Sequence, residues 1–120
     1  MKIGLTSQNF RTITGHAGKA RRFLGYTRGS DATLVEMDRL DLPREMSLHE
    51  FRGTDHPIDQ FDVLITAGCG DGFKRRLATR GIRVLVTSET DPRVAAQAVL
   101  DDKELPLAEP HELPVREEKP

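Results

Sequence analysis

The chain has 120 residues, of which 37% are hydrophobic and 31% charged, with no Trp, one Tyr, one Cys and a formal net charge of −1. That length holds one domain with a core of its own and not two, and the scarcity of aromatics makes the core mainly aliphatic. No apolar stretch approaches the roughly 18 residues that span a membrane, no secretory leader follows Met1, and a lone cysteine excludes an internal disulfide framework and fits a reducing, cytoplasmic setting.

Residues 2–7 alternate, with Ile3 and Leu5 on one face, and predict a first strand. Thr14-Gly15-His16-Ala17-Gly18-Lys19 follows, backed by Arg21 and Arg22. Glycines without a Cβ let the backbone turn tightly and approach a bound group, and an imidazole between them can offer a ring nitrogen to a metal. Residues 23–27 and 33–37 read as paired strands around the turn Arg28-Gly29-Ser30-Asp31. Residues 45–52, after Pro43, predict a short helix. Asp62-Val63-Leu64-Ile65-Thr66-Ala67 is an apolar run that reads as a buried strand. It empties into Gly68-Cys69-Gly70-Asp71-Gly72, and a helical pattern begins near 72 and closes at Gly81.

Strand, glycine-rich turn and helix in that order can hold an anion on backbone N–H groups. A thiol near a helix start and several arginines is expected to have a lowered pKa, the thiolate being the form that ligates metals. Residues 82–87 predict another strand. Asp91-Pro92 then opens the last helix, with Val94, Ala95, Ala98 and Val99 expected along its buried face. From 103 to 120, four prolines and many charges predict a flexible acidic tail beyond a folded body of residues 1–102. His49, His56 and His111 have no partner at metal-ligand spacing and are expected at the surface.

Charge is unevenly placed. Residues 1–30 hold six Lys/Arg and no acid, whereas 101–120 hold seven acids against three bases. The basic end lacks the aromatic interleaving and base-reading pattern of a nucleic-acid binder. A small anionic ligand accounts for the same charges with less assumption.

Lys2-Ile3-Gly4-Leu5-Thr6-Ser7-Gln8-Asn9 with Thr12-Ile13-Thr14-Gly15-His16-Ala17-Gly18-Lys19 resembles the opening of the dinitrogenase iron–molybdenum cofactor biosynthesis family. Gly68-Cys69-Gly70-Asp71-Gly72, Arg76-Leu77, Gly81-Ile82 and Thr87-Ser88-Glu89-Thr90-Asp91-Pro92 carry the second half of the resemblance, which spans residues 1–100. It implies a ribonuclease H-like α/β domain, a mixed sheet with helices packed against it, and no catalysis. It further implies binding of an iron–sulfur or iron–molybdenum cluster during nitrogenase cofactor assembly, with the assembly proteins as partners. Relatives often carry a cysteine soon after the His-Ala-Gly-Lys segment; here that position is Ala20.

On this reading His16 and Cys69 are the metal ligands, and Gly15, Gly18, Lys19, Arg21, Gly68, Gly70, Asp71 and Gly72 line the cofactor site. Cys69 reads equally as a small apolar residue at a strand end. The cations read singly as a solvated face, and gain weight together with Lys74, Arg75 and Arg76. Two other functions compete: a regulatory domain sensing a small anion, and a metal-dependent hydrolase. The hydrolase needs several carboxylates converging on cations. The first strand has none, and Asp71 alone does not make such a site.

Overall fold

The computed structural model describes residues 1–107. Its elements, in chain order, are β1 (Lys2–Thr6), β2 (Arg22–Arg28), β3 (Leu34–Glu36), β4 (Leu40–Asp41), β5 (Val63–Thr66), α1 (Asp71–Thr79), β6 (Arg83–Val86) and α2 (Pro92–Leu100). Short 3-10 turns occupy Ala17–Lys19, Arg44–Met46 and Pro57–Gln60. The six strands form one mixed sheet in the order β3-β2-β1-β5-β6, with β4 pairing the start of β2. β2 runs antiparallel to β1, β3 and β4, while β1, β5 and β6 are parallel. The described residues therefore form an α/β domain with one sheet and two α-helices.

Alternation along the strands divides the core in two. Ile3, Leu5, Leu24, Tyr26, Val63 and Ile65 face one side and pack with Ala95 and Ala96 of α2. Phe23, Leu64 and Phe61 face the other and pack with Phe73 and Leu77 of α1. Fully burying a side chain of this size stabilises by about 1.5–3 kcal/mol, so both faces need a helix. On the α1 side Gly4 and Gly25 are register partners. The Phe61 ring lies over them, so close that a Cβ on Gly4 would sit 2.4 Å from a Phe61 ring carbon.

The predicted hairpin forms, closed by Gly29 donating to the Thr33 carbonyl at 2.7 Å. The last helix starts as read: Asp91 caps it, its carboxylate accepting from Arg93 N at 2.9 Å and Val94 N at 3.3 Å, with Pro92 next. Its buried face is the expected one at Ala95 and Val99, which pack on the α2-side core, and differs elsewhere. Pro92, Ala95 and Ala96 are buried, whereas Val94 is 51% exposed. The residues that fit against β1 and β2 are the smallest in the helix, which sets its rotation. In place of the helix expected over 45–52 stand the 3-10 turn Arg44–Met46, a bend at Ser47 and a turn over 48–50 closed by Phe51 N donating to the Ser47 carbonyl at 2.7 Å, with Leu48 drawn into the α1-side core. β4 was not foreseen, two residues being too short to carry a periodic signal.

His56, expected at the surface, is buried. Its ring accepts from Ile58 N at 3.1 Å, capping the Pro57–Gln60 turn. His49 is exposed, and His111 lies outside the described residues, as do residues 108–120 of the expected tail. Residues 103–107 lie against the end of β6. Leu107 bridges Thr87, the Pro106 carbonyl accepts from Ser88 N at 3.2 Å and Thr87 Oγ1 at 2.6 Å, and half-buried Leu105 packs on the α2-side core.

Candidate functional site

Because β1 and β5 are parallel neighbours, their C-terminal ends lie at the same edge of the sheet. From there the chain departs in opposite directions, β1 leading to β2 and β5 leading to β6. Such a switch point leaves a crevice between the two outgoing loops, where ligands bind in open α/β sheets.

The two loops are fastened by backbone hydrogen bonds. Ala67 N donates to the Thr14 carbonyl at 3.1 Å, and Ala17 N to the Gly68 carbonyl at 3.2 Å. Below them lie two fully buried hydroxyls. Thr6 Oγ1 is 2.8 Å from Thr66 Oγ1, and both reach the Thr14 carbonyl, at 2.6 and 3.1 Å. These threonines were not singled out in the sequence, although a signal was there. β1, β5 and the run through β6 all end on an apolar pair followed by threonine: Gly4-Leu5-Thr6, Leu64-Ile65-Thr66 and Leu85-Val86-Thr87.

Gln8, Thr14, Gly15, His16, Lys19 and Ala20 line an open cleft of about 460 Å³ beside this junction. His16 is exposed and occupies the N-cap of the Ala17–Lys19 turn in the left-handed conformation, φ 53°. The tight position of the motif thus falls on the histidine, and none of Gly15, Gly18, Gly68, Gly70 and Gly72 has a positive φ. At Gly15 an added Cβ would meet Gly68 N at 3.5 Å, so the loops touch backbone to backbone. At Gly68 and Gly70 it would meet nothing within 4 Å, which leaves room for a group from outside. Gly18 is half-buried and its carbonyl accepts from His49 N at 2.7 Å.

The hydrogen bond from Ala17 to Gly68 joins the immediate neighbours of His16 and Cys69, which brings those two Cα atoms within about 9 Å by chain geometry. Cys69 is half-buried against the α1-side core. Burial pushes its thiol up from the ordinary value; Lys74 pulls it down and Asp71 adds to the rise. The lowered pKa expected from the sequence is therefore reversed. Desolvation outweighs the nearby cation, since the thiolate loses water that one exposed lysine does not replace.

α1 begins at Asp71 behind Gly70, with no side chain capping its first N–H groups. Lys19, Lys74, Arg75 and Arg76 are exposed, Arg21 is half-buried, and among the described residues none has a carboxylate oxygen within 4.0 Å. Arg22 differs: it pairs with Asp41 at 3.3 Å, donates to the Gln8 carbonyl at 3.0 Å and lies over the Phe10 ring. Among the described residues no three of His, Cys, Asp and Glu converge in a group able to hold a metal ion. No helix there is long and apolar enough to cross a membrane.

No family model matches the sequence, and no curated protein matches it. Solved structures do. The crystal structure of PH0822 superposes with a TM-score of 0.65 at 16% identity, covering 88% of this chain and 96% of that one. The NMR structure of TM1290 from Thermotoga, provisionally named a NifB protein and placed in the DUF35 family, superposes with a TM-score of 0.51 at 13% identity. It covers 90% of this chain and 94% of that one. At such identities the likeness is one of fold.

Proposed function

We propose that this chain is a non-catalytic carrier that receives an anionic iron–sulfur or iron–molybdenum cluster where the cleft lined by Gln8, Thr14, Gly15, His16, Lys19 and Ala20 adjoins the turn of residues 68–73. The observation that carries the reading is the clasp at the β1/β5 switch point, which joins the His16 loop to the Gly68-Cys69 turn. The mixed sheet with a helix on each face suits the ribonuclease H-like frame that the sequence resemblance implies, and the provisional NifB naming of a structural neighbour points the same way. The cargo is held by two protein ligands at most, His16 and Cys69. The remaining attraction comes from Lys19, Arg21, Lys74 and the uncapped first turn of α1. So sparse a ligand set suits a carrier, which must release what it binds. The donor and acceptor are cytoplasmic proteins of nitrogenase cofactor assembly.

Cys69 enters as a thiol and must lose its proton on ligation, so loading is favoured by higher pH. A second reading, a domain that senses a small anion, is favoured by one observation: burial pushes that thiol up, away from the thiolate a cluster needs. Anaerobic reconstitution with iron and sulfide, with and without molybdate, followed by metal analysis and visible absorption, separates the two. A carrier takes up a chromophore that the His16→Asn, Cys69→Ser double variant loses. Asparagine is chosen because it tolerates the left-handed backbone at 16. Equal binding by that variant places the site elsewhere, and no binding by wild type leaves the anion reading.

A further inference from the structure

Residues 44–61 form a lobe without regular helix or strand that packs beside the candidate cleft. Leu48 and Ile58 are buried in the same cluster as Ala17 and Ala20, the residues that flank Gly18 and Lys19. The lobe holds the cleft directly through the bond from His49 N to the Gly18 carbonyl. At its far end Arg80, which follows α1, donates to the Thr54 carbonyl at 3.0 Å and to the Asp59 carboxylate at 2.8 Å.

His56 locks the lobe from inside. Its Nε2 meets the Met46 carbonyl, which accepts only, so Nε2 carries the proton. Its Nδ1 meets Ile58 N–H, which donates only, so Nδ1 is bare. The partners thus fix one neutral tautomer and leave no place for a second proton. Protonating Nδ1 sets N–H against N–H, removes the imidazole half of the capping box on the Pro57–Gln60 turn, whose other half is the Asp59 carboxylate accepting from His56 N, and leaves the buried Ile58 amide unpaired.

We propose that His56 is an acid-sensitive latch on the candidate cleft: protonation of its Nδ1 loosens residues 44–61 and frees the Gly18–Lys19 turn that they buttress. The inference rests on the cleft assigned above and gives it a regulation. Around the ring, the 46–52 segment contributes the Met46 carbonyl and the Phe51 ring, edge-on with centroids 4.8 Å apart. The charged groups facing it are Arg80 from the end of α1 and Asp59 from the capped turn. Burial holds the imidazole below its ordinary range and Arg80 adds to this, while the Met46 carbonyl and Asp59 oppose it. A histidine depressed in the folded state binds more protons when unfolded. Its stabilising contribution is therefore whole above the ordinary histidine value of about 6.5 and is lost as pH falls below it.

The test is amide exchange on the full chain, corrected for intrinsic rates, with the His56 ring followed by NMR. Between about pH 7.5 and about pH 5 the protection of Ile58 and His49 amides is expected to fall about tenfold as the ring titrates. His56→Asn, which keeps a cap acceptor but does not titrate, is expected to lose that pH dependence. His49→Gln, which removes the exposed neighbouring imidazole, is expected to keep it. Protection that changes less than about threefold while the ring titrates overturns the latch. So does a ring that stays neutral to about pH 4, or a His56→Asn variant with the wild-type profile. No step needs a cluster, so a chain that takes up none fails as a carrier while the latch is still decided.

Discussion

Gly4 and Gly25 leave a gap in the sheet that Phe61 fills. Gly4→Ala is expected to destabilise by about 2–3 kcal/mol, since a Cβ at 2.4 Å must displace the ring, and thermal denaturation reads it directly. Phe61→Leu combined with Gly4→Ala is expected to recover part of that loss; a neutral single variant would mean the ring moves freely. Cys69 makes a second prediction at this scale. With its thiol raised by burial, alkylation near neutral pH is expected to be slower than for an unstructured cysteine, and to climb steeply as pH passes the ordinary thiol range. A rate at or above the unstructured one would mean that Lys74 and the first turn of α1 prevail. Of the residues lining the cleft, Gly15, His16 and Lys19 stand out in the sequence, whereas Gln8, Thr14 and Ala20 do not, and Cys69 lies outside the lining. The states of His16 and Cys69 were not legible there. The left-handed backbone at His16 and the upward-shifted thiol at Cys69 depend on what packs beside them, and that comes from distant segments.

At the scale of elements, α2 separates what pattern reveals from what fit decides. Asp91 and Pro92 mark its start unambiguously, and Asp91→Ala is expected to cost about 1 kcal/mol in denaturant unfolding. The expected buried face was right at Ala95 and Val99, which pack on the α2-side core, and wrong at Val94, where the sheet takes the smaller Ala96 instead. Ala96→Leu is therefore expected to destabilise by about 1–3 kcal/mol, and Val94→Lys to stay within about 0.5 kcal/mol. The reverse order would restore the face read from the sequence. Strands with clear alternation or short apolar runs were legible, as was the hairpin through its turn residues. The 44–61 lobe was not, because its order comes from single contacts such as those of His56 and Arg80 rather than from any repeating pattern.

For the whole molecule, the stretch 103–107 belongs to the fold's energetics. A chain ending at Asp102 loses the Pro106 carbonyl that accepts from the buried Thr87 hydroxyl, together with the Leu105 packing. It is expected to be less stable than one ending at Leu107 by about 1–2 kcal/mol, measured as a melting-temperature difference. Equal stability would show that solvent serves Thr87 as well. The paired hydroxyls of Thr6 and Thr66 have a consequence in time. They lie 60 residues apart in sequence, and β1 has its second neighbour only once β5 exists. At about 5–20 residues per second, a ribosome needs about 3–12 s to make that stretch, during which the His16 loop has emerged without the turn that clasps it. The clasp is thus a late product of synthesis, and a nascent chain completes its binding surface only after β5 and the Gly68-Cys69 turn have been made.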